Sequence, residues 1–211
     1  TRESNIWKLF QVNDDFYYQV LGEGLFKISN KKGSLVSAKD LVKEQSIVSV
    51  FKNEDGLHVL FKNAQLVKLV GASIVSLTQL IENEEYQIYS ASYFPESQKL
   101  ALGTIQNGLI ITDLYGNDKV QISKENGLDN NTVLSLFQAE DGNLWLGLDN
   151  GISYVDLDSP VRQYVDQVGM LGTVYASVLH DNLLYLGTNQ GLFVSSKGNS
   201  EFSLVSNVSG Q

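Results

Sequence analysis

Apolar and β-branched residues in this chain fall in short runs separated by tight polar turns. The clearest stretch is residues 131–156, NTVLSLFQAEDGNLWLGLDNGISYVD. Residues 132–139 form one run, 144–148 a second and 152–155 a third. Asp141-Gly142 lies between the first two, and Asp149-Asn150-Gly151 between the second and third. Such pairs suit hairpins, because a positive φ costs Gly nothing and Asn or Asp little. The stretch predicts three antiparallel strands. No segment carries a sustained helical apolar stripe.

The same unit recurs along the chain. Copies read as residues 5–28, 46–69, 87–112 and 173–196, and their second turns are marked by Gly24, Gln65, Gly108, Gly151 and Gly191. The markers repeat about every forty residues. A fourth short strand is expected between units, for example at 34–38, 119–123, 161–165 and 202–205. Four antiparallel strands in each such period is the pattern of a β-propeller blade. The fold class is therefore all-β: a β-propeller of four-stranded antiparallel blades, with five repeats in this chain. It is read as an arc of a larger, seven-bladed ring, with five-bladed closure as the alternative. The approximate blades are 5–44, 45–85, 86–129, 130–171 and 172–206, forming a single propeller fragment of residues 1–211. The chain starts inside a unit, and 207–211 resembles the lead-in to another, so it reads as a piece of a longer protein.

Two columns of small residues follow from the repeat. Gly103, Gly147 and Gly187 share one, with Leu60 and Val20 expected in the first two units; Ser49, Ser90, Ser135 and Ala176 share the other, which Lys8 breaks. Gly inside a strand marks close backbone approach or a bulge. Neighbouring blades are expected to meet at the Gly column, so Gly147→Val is expected to overpack. A third column holds Trp7, Val48, Tyr89, Leu134 and Tyr175. Its aromatics could line a channel; packing between blades is the simpler reading and is adopted.

Composition narrows the chemistry. The formal net charge is −9, and Lys and Arg are not clustered. A nucleic-acid backbone needs such a cluster, so no nucleic-acid partner is expected. No Cys is present, which removes disulfides, zinc–thiolate sites and thiol catalysis. No apolar run reaches the roughly 18 residues of a membrane-spanning helix, so no membrane insertion by this segment is expected. His58 and His180 are the two histidines and lie in different units, which rules out a three-His metal site. Asp14-Asp15 and Glu54-Asp55-Gly56 read as turn chemistry rather than a calcium cage. Glu84-Glu85 and Glu140-Asp141 read as solvated loop carboxylates. Asp141-Gly142-Asn143-Leu144-Trp145 comes near the Asp-box of sialidase-like propellers, but its Asp and Gly are adjacent instead of separated by one residue. No catalytic residue, metal site or cofactor is expected.

The stretch ENGLDNNTV with LFQAEDGNLWLGLDNGISYVD, and residues 171–193 after it, resembles the two-component regulator propeller repeat. That repeat occurs in the sensor regions of Bacteroidetes hybrid two-component systems and related one-protein regulators. The resemblance implies a periplasmic, ligand-sensing part of a membrane-anchored regulator. It would sense a carbohydrate or another small molecule and signal to a kinase or DNA-binding module outside this chain. The full-length protein could be a homodimer. The alternatives are a protein-interaction scaffold and a propeller hydrolase or lyase. In a propeller, the loops entering the innermost strands and the loops between second and third strands share one face. Candidate ligand contacts there are Tyr86, Asn130, Asn131, Asn150, Thr173 and Gln190.

Overall fold

The structure is a computed structural model describing residues 6–37, 39–83, 86–157, 159, 166, 168–196 and 201–205. The first sheet holds β1 (Ile6–Val12), β2 (Asp15–Val20), β3 (Gly24–Ser29) and β4 (Lys32–Ser37) in sequence order. A short helix, α1 (Asp40–Glu44), leads into the second sheet, made of β5 (Ile47–Asn53), β6 (Gly56–Phe61), β7 (Gln65–Val70) and β8 (Ser73–Gln79). The third holds β9 (Ile88–Phe94), β10 (Lys99–Thr104), β11 (Leu109–Asp113) and β12 (Val120–Ile122). A 3-10 turn at Lys124–Asn126 precedes the fourth, with β13 (Val133–Gln138), β14 (Leu144–Leu148) and β15 (Ile152–Val155). The fifth holds β16 (Val174–His180), β17 (Leu183–Thr188), β18 (Gly191–Ser196) and β19 (Ser203–Leu204). The fourth-strand position at 161–165, Glu84-Glu85 and residues 207–211 lie outside the described residues.

All neighbouring strands pair antiparallel, so the fold is all-β and of propeller type. Turn chemistry sets the hairpins. Gly142 and Gly151 take φ of 86° and 102°, and Gly24, Gly108 and Gly191 are also in positive φ. Gln65 replaces Gly in the second unit, and there the preceding Ala64 takes the left-handed conformation, at φ 63°.

The chain divides into two compact units. The first holds the first four sheets; the second holds the fifth together with the short segment Lys124–Leu128. In the first unit the innermost strands lie side by side, β1 against β5, β5 against β9 and β9 against β13. Sheet faces pack between them. Phe10, Val12, Tyr17 and Leu25 meet Val50, Val59, Phe61 and Val67, while Phe51 and Leu60 meet Ile88, Leu100 and Leu102. The middle strands β6 and β10 are thus covered on both faces. In β6, His58, Val59, Leu60 and Phe61 are all buried in succession, which is why such strands read as apolar runs rather than alternation.

The Gly column resolves into different local solutions. Strand pairing places Ser49 opposite Leu60, Ser90 opposite Gly103, Ser135 opposite Gly147 and Ala176 opposite Gly187. In the first sheet Lys8 faces Gln19 rather than Val20, which corrects the sequence alignment by one position. Gln19 is 1% exposed, donating from Nε2 to the carbonyls of Val42 (2.9 Å) and Gln45 (2.6 Å) and accepting from the Ile47 N–H at 2.9 Å. It ties the first sheet to the entry of the second. At Gly103 an added Cβ would meet Ser90 Oγ and, on the next sheet, Val133 Cγ1 at 2.8 Å and its carbonyl oxygen at 2.9 Å. The sheets do approach closely there. At Gly147 the three nearest atoms all belong to Ser135, its own cross-strand partner. Within the first unit its contact is thus with its own sheet.

Candidate functional site

Register slips by one residue between the first two strands of every sheet, at Ile6/Lys8, Ile47/Ser49, Ile88/Ser90, Val133/Ser135 and Val174/Ala176. The residues left unpaired are Trp7, Val48, Tyr89, Leu134 and Tyr175, the aromatic-bearing column seen in the sequence. A bulge leaves one residue out of the ladder and re-aims its side chain. Val48 is 8% exposed and packs, as expected for an inter-blade residue, but Tyr89 is 46% exposed and Tyr175, in the second unit, 74%. The packing reading fails for Tyr89, which lies inside the first unit between neighbouring sheets and is still half exposed. Alternation counting along the sequence cannot place a bulge.

The bulges sit at the end of each inner strand where loops enter. In the first unit, backbone hydrogen bonds knit that end together. Lys62 N–H donates to the Ser46 carbonyl (2.9 Å), Ile88 N–H to Lys62 (2.9 Å), Gly108 N–H to Asn131 (2.8 Å) and Asp149 N–H to Thr132 (3.1 Å). Thr132 Oγ1 donates to the Ile105 carbonyl at 2.5 Å, and Asn130 Oδ1 accepts the Thr132 N–H at 2.8 Å. The loop holding Asn130 and Asn131 is thereby fixed to the 105–108 turn on one side and to the turn carrying Asn150 on the other. Asn150 is exposed; Asn130 and Asn131 are half-buried. Tyr86 is half-buried against the cluster containing Val48 and Ile88, so much of its ring serves the core.

Two lysines that the sequence did not single out as site residues belong to this end. Lys8 Nζ donates to the Tyr89 carbonyl at 3.3 Å and lies 5.6 Å from the Tyr89 ring centroid. Burial lowers the Lys8 pKa below its ordinary value, and the nearby charge of Lys62 lowers it further. Among the described residues, neither lysine forms an ion pair with a carboxylate. The signal in the sequence was Lys8 itself, a long cation in a column of Ser and Ala.

The second unit carries the other two candidates at its own loops. The Thr173 N–H donates to Asn189 Oδ1 (2.8 Å), and the Gln190 N–H to Thr188 Oγ1 (3.0 Å); both residues are exposed. The histidines lie elsewhere. His58 is buried, stacked on Phe51 with centroids 5.1 Å apart, while His180 stands exposed with Nε2 3.3 Å from Asp181 Oδ2. Among the described residues no three His, Asp or Glu side chains converge as a metal site, and no helix is long and apolar enough to cross a membrane.

The profile of the two component regulator propeller family matches residues 127–150, which hold the Asn130–Asn131 loop, β13 and β14. Over these residues the chain is similar to one two component regulator propeller repeat. Solved structures similar to the chain show the same fold. One is described as the extracellular domain of a hybrid two component system of B. thetaiotaomicron, with 18% identity and TM-score 0.56, covering 99% of this chain and 30% of that one. A second is the extracellular domain of a one component system of the same organism, with 17% identity, TM-score 0.55 and coverage of 96% and 29%. The β-propeller domain of Cps50 (Swd1) from Myceliophteria thermophila aligns at 13% identity and TM-score 0.53, over 94% of this chain and 72% of that one. The chain thus spans about 30% of the length of the two B. thetaiotaomicron domains. No curated protein matches it.

Proposed function

We propose that this chain is part of the extracytoplasmic ligand-sensing region of a bacterial signal-transduction regulator. It recognises a carbohydrate or another small molecule and passes the signal to a membrane-linked kinase or DNA-binding module elsewhere in the protein. The observation that carries this is the regulator propeller match at 127–150, in the sheet whose entry loop is tied to two neighbouring turns at one end of the first unit. Asn130, Asn131, Asn150 and Tyr86 supply amide and phenol groups there, a set suited to sugar hydroxyls; Thr173 and Gln190 play the same part in the second unit. Signalling then needs a ligand that favours one arrangement of the sensor over another. The chain acts as a binder rather than a catalyst and calls for no cofactor.

Calorimetric titration with a panel of soluble oligosaccharides tests this. A saturable heat with at least one member, reduced in Asn130→Ala and Asn150→Ala, is expected. Binding left intact by both substitutions would contradict the assigned face.

One observation favours a second reading, a protein-interaction scaffold. The outward face of the first sheet exposes Leu9 (62%), Phe16 (41%) and Leu35 (56%). Leu9, Tyr18, Ile28 and Gly33 there line a shallow hollow rimmed by Lys31 and Lys32. Self-association or partner capture that Leu35→Lys abolishes would favour the scaffold.

A further inference from the structure

Lys8 is out of place. Its column holds Ser49, Ser90, Ser135 and Ala176 in the other sheets, small residues beside a converging inner-strand ladder. The lysine side chain is half-buried and runs from β1 past β5 to the Tyr89 backbone on β9. An ammonium has three donors, and the Tyr89 carbonyl occupies one. Its charged neighbour is another cation, Lys62, in the turn after β6. In a chain of net charge −9, two neighbouring lysines without a paired carboxylate among the described residues are an uncompensated positive site. Tyr89, left out of the ladder at its bulge and 46% exposed, supplies a flat ring beside Lys8.

We propose that Lys8, Lys62 and Tyr89 form a binding site for an anionic group, a carboxylate or sulfate, carried by the sensed ligand or free in solution. This rests on the ligand-sensing reading above and specifies its chemistry. The free Lys8 donors form charge-assisted hydrogen bonds to the anion, Lys62 adds attraction from the rim, and the Tyr89 ring packs on the apolar face of an attached sugar.

Sulfate and glucuronate are titrated separately into the labelled chain, with glucose as the neutral control. The Tyr89 amide and the Lys8 ammonium resonance are followed. At least one anion is expected to shift both signals saturably, and glucose neither. The bound anion favours the charged ammonium, so Lys8 should titrate at higher pH when the site is filled. Lys8→Met should abolish the Tyr89 response, and Lys62→Met should weaken binding by roughly tenfold, the loss of one contact to a charged group. Lys119→Met, exposed beside β12, should leave binding unchanged. If Lys8→Met fails to fold, Lys62→Met decides alone. Tighter binding of glucuronate assigns the anion to an acidic sugar; tighter binding of sulfate assigns it to a free oxyanion or a sulfated ligand. No saturable shift with either anion, or shifts that survive both lysine substitutions, would overturn the site. A neutral oligosaccharide that shifts Asn130, Asn131 and Asn150 without these lysine-dependent anion shifts would overturn it too, while leaving the ligand-sensing reading in place.

Discussion

Gly103 and Gly147 occupy the same column but face different obstacles. Beyond Ser90, an added Cβ at Gly103 meets Val133 of the next sheet, including its backbone, which cannot turn aside. Within the first unit, at Gly147 it meets Ser135, whose hydroxyl can rotate away. Gly103→Ala should cost about 1–3 kcal/mol by overpacking, whereas Gly147→Ala should change stability by less than about 1 kcal/mol. Denaturant midpoints at constant slope measure both; equal losses would contradict the distinction. The repeat put both glycines in one column, but sequence spacing could not say which touched a neighbouring sheet. His58 adds a pH dependence. Burial lowers its pKa, and Lys68 lowers it further, against the raising effects of the Gly56 carbonyl, which accepts from Nδ1–H, and of Asp55. The unfolded imidazole takes up its proton near pH 6.5, the folded one at lower pH. This contribution is therefore fully present above that value and is lost as the pH falls towards the lowered folded pKa. Thermal melts from pH 8 to 5 should show this fall, and His58→Phe, which keeps the stack with Phe51, should flatten it; an equal slope in the variant would contradict the assignment.

At the scale of single elements, the hairpins were legible because their turn chemistry is local. β13, β14 and β15 fall within one residue of the runs read from the sequence, with turns at Gly142 and Gly151. The cross-strand support of the first turn was not legible. Tyr154 on β15 donates its hydroxyl to Asp141 Oδ2 at 2.8 Å and accepts from Asn143 Nδ2 at 2.8 Å. The Tyr154 bond is the main cause of a lowered Asp141 pKa, with the Asn143 N–H next. Tyr154→Phe should raise the Asp141 pKa in a carboxylate titration followed by NMR; an unchanged value would show that the turn backbone alone holds the carboxylate. Gln19 is a second such case. It links β2 to the entry of β5, and Gln19→Ala orphans the buried Ile47 N–H. A loss of roughly 1–3 kcal/mol is expected, measured by the denaturant midpoint, and a neutral result would mean that water replaces the side chain. Spacing alone pointed to Val20, because the slip of one residue at the bulge puts Gln19 opposite Lys8 instead.

Across the whole molecule, the five-fold repeat carried the fold, since its period and turns are properties of the sequence alone. The candidate site was only half legible. Loop positions such as Asn130 and Asn150 follow from propeller topology, but the convergence of Lys8, Lys62 and Tyr89 depends on three sheets meeting at one end. The account rests on that loop end being the ligand face. Hydrogen–deuterium exchange of the chain, alone and saturated with a bound oligosaccharide from the panel, tests it most directly. Slowed exchange in the 62–65, 86–89, 105–108, 128–132 and 148–151 segments, with β2 to β4 unchanged, is the predicted result. Protection confined to the exposed face of the first sheet, around Leu9, Phe16 and Leu35, would contradict it.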